Sequence, residues 1–127
     1  MSVATTRDVR VEVESHFDPD RSSPEEQQYL FVYTVTITNL GSETVQLLSR
    51  HWIITDSDGN VEEVKGPGVV GEQPVLAPGD SFSYTSFCPL KTAVGAMHGT
   101  YQMRTSSGEM FAAEIAPFGL EVPHVVN

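Results

Sequence analysis

The chain is poor in several features that would each point to a particular biology. It has one cysteine in 127 residues, Cys88, so no internal disulfide forms and a disulfide-stapled secreted scaffold is excluded. No apolar run approaches the roughly 20 residues that cross a bilayer as a helix. Basic residues are scarce: seven Lys and Arg stand against seventeen Asp and Glu, a net charge of −10. Nucleic-acid affinity depends on Lys and Arg neutralising phosphates, so neither nucleic acid nor an anionic membrane is an expected partner. The opening Met1-Ser2-Val3-Ala4-Thr5-Thr6-Arg7 lacks a basic segment followed by an apolar one, and so does not read as an export signal. A cytoplasmic location is the expectation.

Catalytic spacing is missing too. His16, His51, His98 and His124 are dispersed, without the H-x-H or H-E-x-x-H spacing of a metal site. No G-x-S-x-G occurs, and Cys88 precedes Pro89 with no histidine nearby. The reading is of a protein that binds rather than catalyses, with no cofactor.

What is there is period-2 alternation. Val9, Val11 and Val13 alternate with charged residues, the pattern of a half-buried strand. From Tyr29 to Asn39 the odd positions are aromatic or aliphatic, and Thr34, Thr36 and Thr38 fill the other face. Further strands are expected at 45–55, 60–65, 81–87, 99–105 and 110–116, with an Asp58-Gly59 hairpin turn after the second long run. Pro74 and Pro78 forbid a helix between residues 66 and 80. Ser23-Pro24-Glu25-Glu26 carries the signals of one helical turn.

About seven short antiparallel strands and no long helix indicate an all-β sandwich or barrel, here one domain over residues 1–127. Two residues favour an immunoglobulin/fibronectin-III-like sandwich without its disulfide. Trp52 lies on the third strand, and Tyr101 stands two residues before Met103 at the position of the second cysteine.

Three constellations bear on function. Gly66-Pro67-Gly68-Val69-Val70-Gly71 has G-x-G-x-x-G spacing, but the proline-rich segment after it cannot supply the helix that a dinucleotide turn requires. A weaker anion site remains, built from Gly66, Gly68 and Gly71 with Lys65 and Arg50. Asp56, Asp58 and Asn60 begin like a calcium loop, yet Val61 and Pro67 stand where its Gly and Glu belong. In Arg50-His51-Trp52, alternation places Leu48, Arg50, Trp52 and Ile54 on one face, with Leu47, Ser49, His51 and Ile53 on the other. The Arg then snorkels beside a core Trp, or forms the rim of a binding surface.

The string Phe31-Val32-Tyr33-Thr34-Val35-Thr36-Ile37-Thr38-Asn39, the run from Gln46 to Asp56, the run from Glu63 to Pro74, Tyr84-Thr85-Ser86 and Gly99-Thr100-Tyr101 together resemble the ApaG (CorD) family. The resemblance covers nearly the whole chain. It implies a fibronectin-III-like fold, a bacterial stand-alone protein and an association with cobalt and magnesium efflux. Eukaryotic relatives that carry the domain in larger proteins imply a role in protein interaction.

The expectation is therefore a binding module for an unidentified protein partner, with Gly66, Gly68, Gly71, Lys65, Arg50, His51 and Trp52 as candidate contact residues. A sensor for a phosphate compound or a divalent cation is the alternative. The cation would use acidic loops at 18–20 and 56–58. Exposed edge strands also leave a homodimer open.

Overall fold

The structure, a computed structural model, describes residues 1–123. Strands form where apolar and polar residues alternate, because successive side chains of a strand point to opposite faces. In chain order they are β1 (Ser2–Thr6), β2 (Val9–Phe17), β3 (Tyr29–Asn39), β4 (Val45–Asp56), β5 (Val61–Pro67), β6 (Val75–Leu76), β7 (Ser81–Leu90), β8 (Val94–Thr105) and β9 (Met110–Glu121). One antiparallel sheet has the order β1-β2-β3-β7, and the other β5-β4-β8-β9, with β6 against the start of β4. The two pack as the expected sandwich. The Ser23–Glu26 signal yields a single 3-10 turn at Pro24–Glu26, beside another at Pro19–Arg21.

All seven expected strands are present, several of them longer than expected, and β1 and β6 are additional. The core lies between the sheets. Val9, Val11 and Val13 face it from β2, and Leu47, Tyr101 and Met103 meet them from the second sheet, all fully buried. Trp52 is a core residue, 3% exposed, its ring 5.4 Å from that of Tyr33 and 5.9 Å from that of Phe118. Tyr101 is buried as well, and its hydroxyl bonds that of Tyr84 on β7. That hydrogen bond joins the two sheets, and no disulfide does.

The outer face of the first sheet carries the threonines read from the sequence. Thr34, Thr36 and Thr38 each pair with a hydroxyl across the strand boundary, on Thr85, Ser83 and Ser81, all at 2.9 Å.

The face assignment along β4 needs one correction. Leu47 pairs with Met103 and Ser49 with Gln102, so Leu48 is an extra residue without a partner in the ladder. This β-bulge reverses the alternation. Leu47 therefore shares the core face with Trp52, although the sequence pattern places them on opposite faces.

The two sides of the sandwich differ. One is closed where β1 and β2 pack against β9. On the other, the free edges of β5 and β7 face solvent, and a cleft of ≈ 210 Å³ opens between them, lined by Tyr33, Arg50, Glu62, Val64, Ser86 and Cys88 among others.

Candidate functional site

The candidate residues gather where β4, β5 and the following loop meet. Register fixes their directions. Arg50 stands opposite Gly66 and Trp52 opposite Val64, on the inner face; His51 stands opposite Lys65, on the outer face. Arg50 and Lys65 thus diverge, and the structure does not bring them together.

Arg50 lies at the rim of the aromatic core. Its Nη1 donates to the carbonyls of Pro67 and Gly68, both at 3.0 Å. The guanidinium also covers Gly66: a β-carbon there would meet it at 3.0–3.1 Å, so the missing side chain is the space that the Arg fills. Its positive charge acts to lower the pKa values of Tyr33, Tyr84 and Tyr101, but burial dominates and raises all three. The snorkelling arrangement is what the local sequence suggests.

On the other face, His51 Nε2 lies 2.9 Å from Glu63 Oε1 across the β4–β5 boundary. Trp52 belongs to the core and has no free surface to offer a ligand. Cys88 is buried, and its thiol is pushed up to about 12 by burial first and by the Glu62 carboxylate second. A thiol so far from ionising is a poor nucleophile at neutral pH.

The glycine-rich loop is a clamped hairpin. Val69 and Glu72 exchange backbone hydrogen bonds of 2.8 and 2.9 Å. Between them Val70 (φ 43°) and Gly71 (φ 81°) form a two-residue turn of the type that requires positive φ twice. Gly68 donates its N–H to the Leu48 carbonyl at 2.9 Å, and Gln73 Nε2 donates to the same oxygen at 2.8 Å. The bulge in β4 thus presents a carbonyl that the loop uses twice. Leu47 N–H donates to Pro74 O at 3.0 Å, and the fully buried Val69 side chain pins the loop to the core.

This geometry bears on the anion reading. The Gly68, Val69 and Glu72 amides are already engaged within the protein. Gly68 serves close approach: its φ is +59°, and a β-carbon there would lie 2.3 Å from the Glu72 carbonyl oxygen. Substituting Gly68 would therefore disturb the loop itself, which makes it a poor probe of ligand binding.

The acidic loops are also structured. The Asp56 carboxylate accepts from Asp58 N–H, Asn60 N–H and Asn60 Nδ2, and these bonds, that of the Asn60 side chain foremost, hold its pKa below the usual value. Asp18 caps the turn at Pro19–Arg21 by accepting from Asp20 N–H at 3.1 Å. Among the described residues no three His, Cys, Asp or Glu side chains are grouped to hold a metal ion. His124 lies outside the described residues.

Two features of the site are missing from the sequence reading. Gln73 gives no motif signal, although the glutamine beside Pro74 is a clamp residue. Val70 is the other. It is 57% exposed and held at positive φ, a conformation that β-branched residues avoid.

Comparison with known proteins gives a consistent answer. A family model described as the ApaG domain matches residues 19–105. Protein ApaG of Rhodopseudomonas palustris is 57% identical over 120 residues, 94% of this chain and 92% of that one. Protein ApaG of Methylobacterium sp. strain 4-46 is 57% identical over 125 residues, 98% of this chain and 96% of that one. A crystal structure described as an ApaA protein from Bordetella pertussis superposes with a TM-score of 0.90 at 52% identity, covering 93% of this chain and 96% of that one.

Proposed function

The chain belongs to the ApaG family, and from that premise we propose that it is a non-catalytic interaction module whose loop at 66–76 docks a protein partner. The observation that carries this reading is Val70, an apolar side chain held out to solvent on strained backbone at the tip of a clamped loop. Strain of this kind costs about 1–3 kcal/mol and persists only where the surroundings enforce it. Here they do, through the Leu48 carbonyl, the Arg50 guanidinium and buried Val69. A rigid loop loses little entropy on docking, so its contacts convert efficiently into affinity.

Val75, 59% exposed, is a second apolar side chain presented to solvent at the loop's far end. The partner is a protein that offers an apolar pocket to Val70. The acidic surface, net charge −10, favours a partner with basic groups around that pocket. Any tie to cobalt and magnesium efflux then runs through the partner.

The test is photo-crosslinking in cells with a crosslinking amino acid at position 72, read by mass spectrometry. It is run in the parent chain and with Val70→Asp, whose folding is checked by thermal melting. A specific adduct lost with Val70→Asp supports the module. An adduct indifferent to Val70 overturns the loop as docking surface. An NMR titration with pyrophosphate, ATP, Mg²⁺ and Co²⁺ distinguishes the other class: saturable submillimolar shifts at Arg50 and residues 65–73 would replace the partner with a small ligand.

A further inference from the structure

Strand β5 is the free edge of the second sheet, and its charges make it self-complementary. It pairs only with β4 among the described residues, leaving one row of backbone donors and acceptors open along Val61–Pro67. Such an edge invites another strand unless its side chains forbid it. Val61, Glu63, Lys65 and Pro67 point to the outer face; Glu62, Val64 and Gly66 point inward.

A two-fold axis normal to the sheet keeps each residue on its own face. It therefore allows only antiparallel registers that place inner residues opposite inner ones. Centred on Glu63, the strand sets two glutamates face to face. Centred on Lys65, it opposes two lysines. Like charges directly across a strand pair are destabilising. Centred on Val64, every conflict disappears. Glu63 then faces Lys65 of the second copy, Lys65 faces its Glu63, and the two Val64 side chains meet at the axis.

The inner face agrees with that register. Glu62 falls opposite Gly66 of the other copy, where the Arg50 guanidinium fills the space that a side chain would take. Arg50 spends Nη1 on the Pro67 and Gly68 carbonyls, which leaves Nη2 for an incoming carboxylate. The other free edge, β7, bears no charged residue over Ser81–Leu90 and so selects no register.

We propose that β5 pairs antiparallel with β5 of a second copy about an axis at Val64, joining the two second sheets through paired Glu63–Lys65 and Glu62–Arg50 contacts. The paired edge is seven residues long, so the dimer forms reversibly with concentration.

Sedimentation and light scattering are measured across concentrations from micromolar to about 1 mM, the range in which weak association is read, for the parent chain, Glu63→Lys, Lys65→Glu and the double exchange. The parent is expected to dimerise. Each single substitution should weaken the dimer by roughly tenfold, because both cross-strand pairs turn from attraction to repulsion. The double exchange, and an equimolar mixture of the two single variants, should restore it. Recovery in the mixture also proves that the single variants fold. Amide exchange in β5 should slow as the parent is concentrated. A parent chain that stays monomeric at the highest concentration, or a dimer indifferent to both charge reversals, would overturn the proposal.

Discussion

The backbone carbonyl of Leu48 accepts the side-chain amide of Gln73 at 2.8 Å, and the bulge that frees this carbonyl also receives the Gly68 N–H. Twenty-five residues of chain are closed by this contact. A Gln73→Leu variant keeps the bulk but removes the donor. The loss should be about 0.5–1.5 kcal/mol, the net worth of one hydrogen bond. Hydrogen exchange should place it locally, with the Gly68 and Val69 amides opening faster while β2 and β3 stay protected.

Strain at Val70 yields a prediction in the opposite direction. Its φ of 43° suits Asn or Gly far better than a β-branched residue. Because Val70 is mostly exposed, Val70→Asn removes little packing. It should stabilise the fold by about 1 kcal/mol, seen as a higher Tm, while weakening capture of the partner. A stabilising change that impairs binding would mark the valine as a docking residue.

The sequence makes the sandwich legible because its long strands alternate cleanly, as in Val9-Val11-Val13 and in the threonines of β3. It hides β1 for two physical reasons. Val3 faces solvent while Ser2 is buried, so the alternation runs backwards. The hairpin to β2 turns on Arg7 and Asp8 at φ 46° and 64°, positions where Gly or Asn is the readable signal. The phase of β4 is hidden differently. Nothing near Leu48 announces a bulge, since its stabilising partners lie some twenty residues later in Gly68 and Gln73. Arg50 beside Trp52 is readable as a rim residue, because an Arg on an apolar face has few places to put its charge.

Trp52 is the sole tryptophan and lies among Tyr33, Tyr101 and Phe118, which makes it both a core keystone and a built-in reporter. Its emission should be blue-shifted in the folded state and move red in one step on denaturation. Trp52→Ala should destabilise the fold by about 3–5 kcal/mol through lost transfer energy and the cavity left behind. An unchanged denaturation midpoint would contradict the core assignment.

Two surface carboxylates set the acid limb of stability. Glu43 accepts from the Ser107 hydroxyl and backbone and from the Ser106 hydroxyl, in that order of effect, and Asp56 accepts chiefly from the Asn60 side chain. Both pKa values are lowered in the folded state, so both groups bind protons more weakly there than in the unfolded chain. Their contribution is therefore complete above the ordinary carboxylate range and is lost as the pH falls through it toward the folded-state values. Glu43→Gln and Asp56→Asn should lower Tm at neutral pH and flatten its decline in acid.

The alkaline limb belongs to the tyrosines between the sheets. Burial raises the pKa values of Tyr33, Tyr84 and Tyr101 above the ordinary phenol value. A raised folded-state value means that stability is complete below the unfolded-state pKa, near 10, and falls as the pH climbs above it, because only the unfolded chain can then release these protons. Tyrosinate absorbance from these three residues should accordingly appear together with the loss of β-sheet circular dichroism. Cys88 supplies an independent check on the same transition, since its buried thiol should resist a thiol reagent in the folded protein and react as the sheets separate. If Tyr84 and Tyr101 ionised while the sheet signal held, the hydroxyl pair that links the two sheets would not be the closed, dry contact that their burial implies.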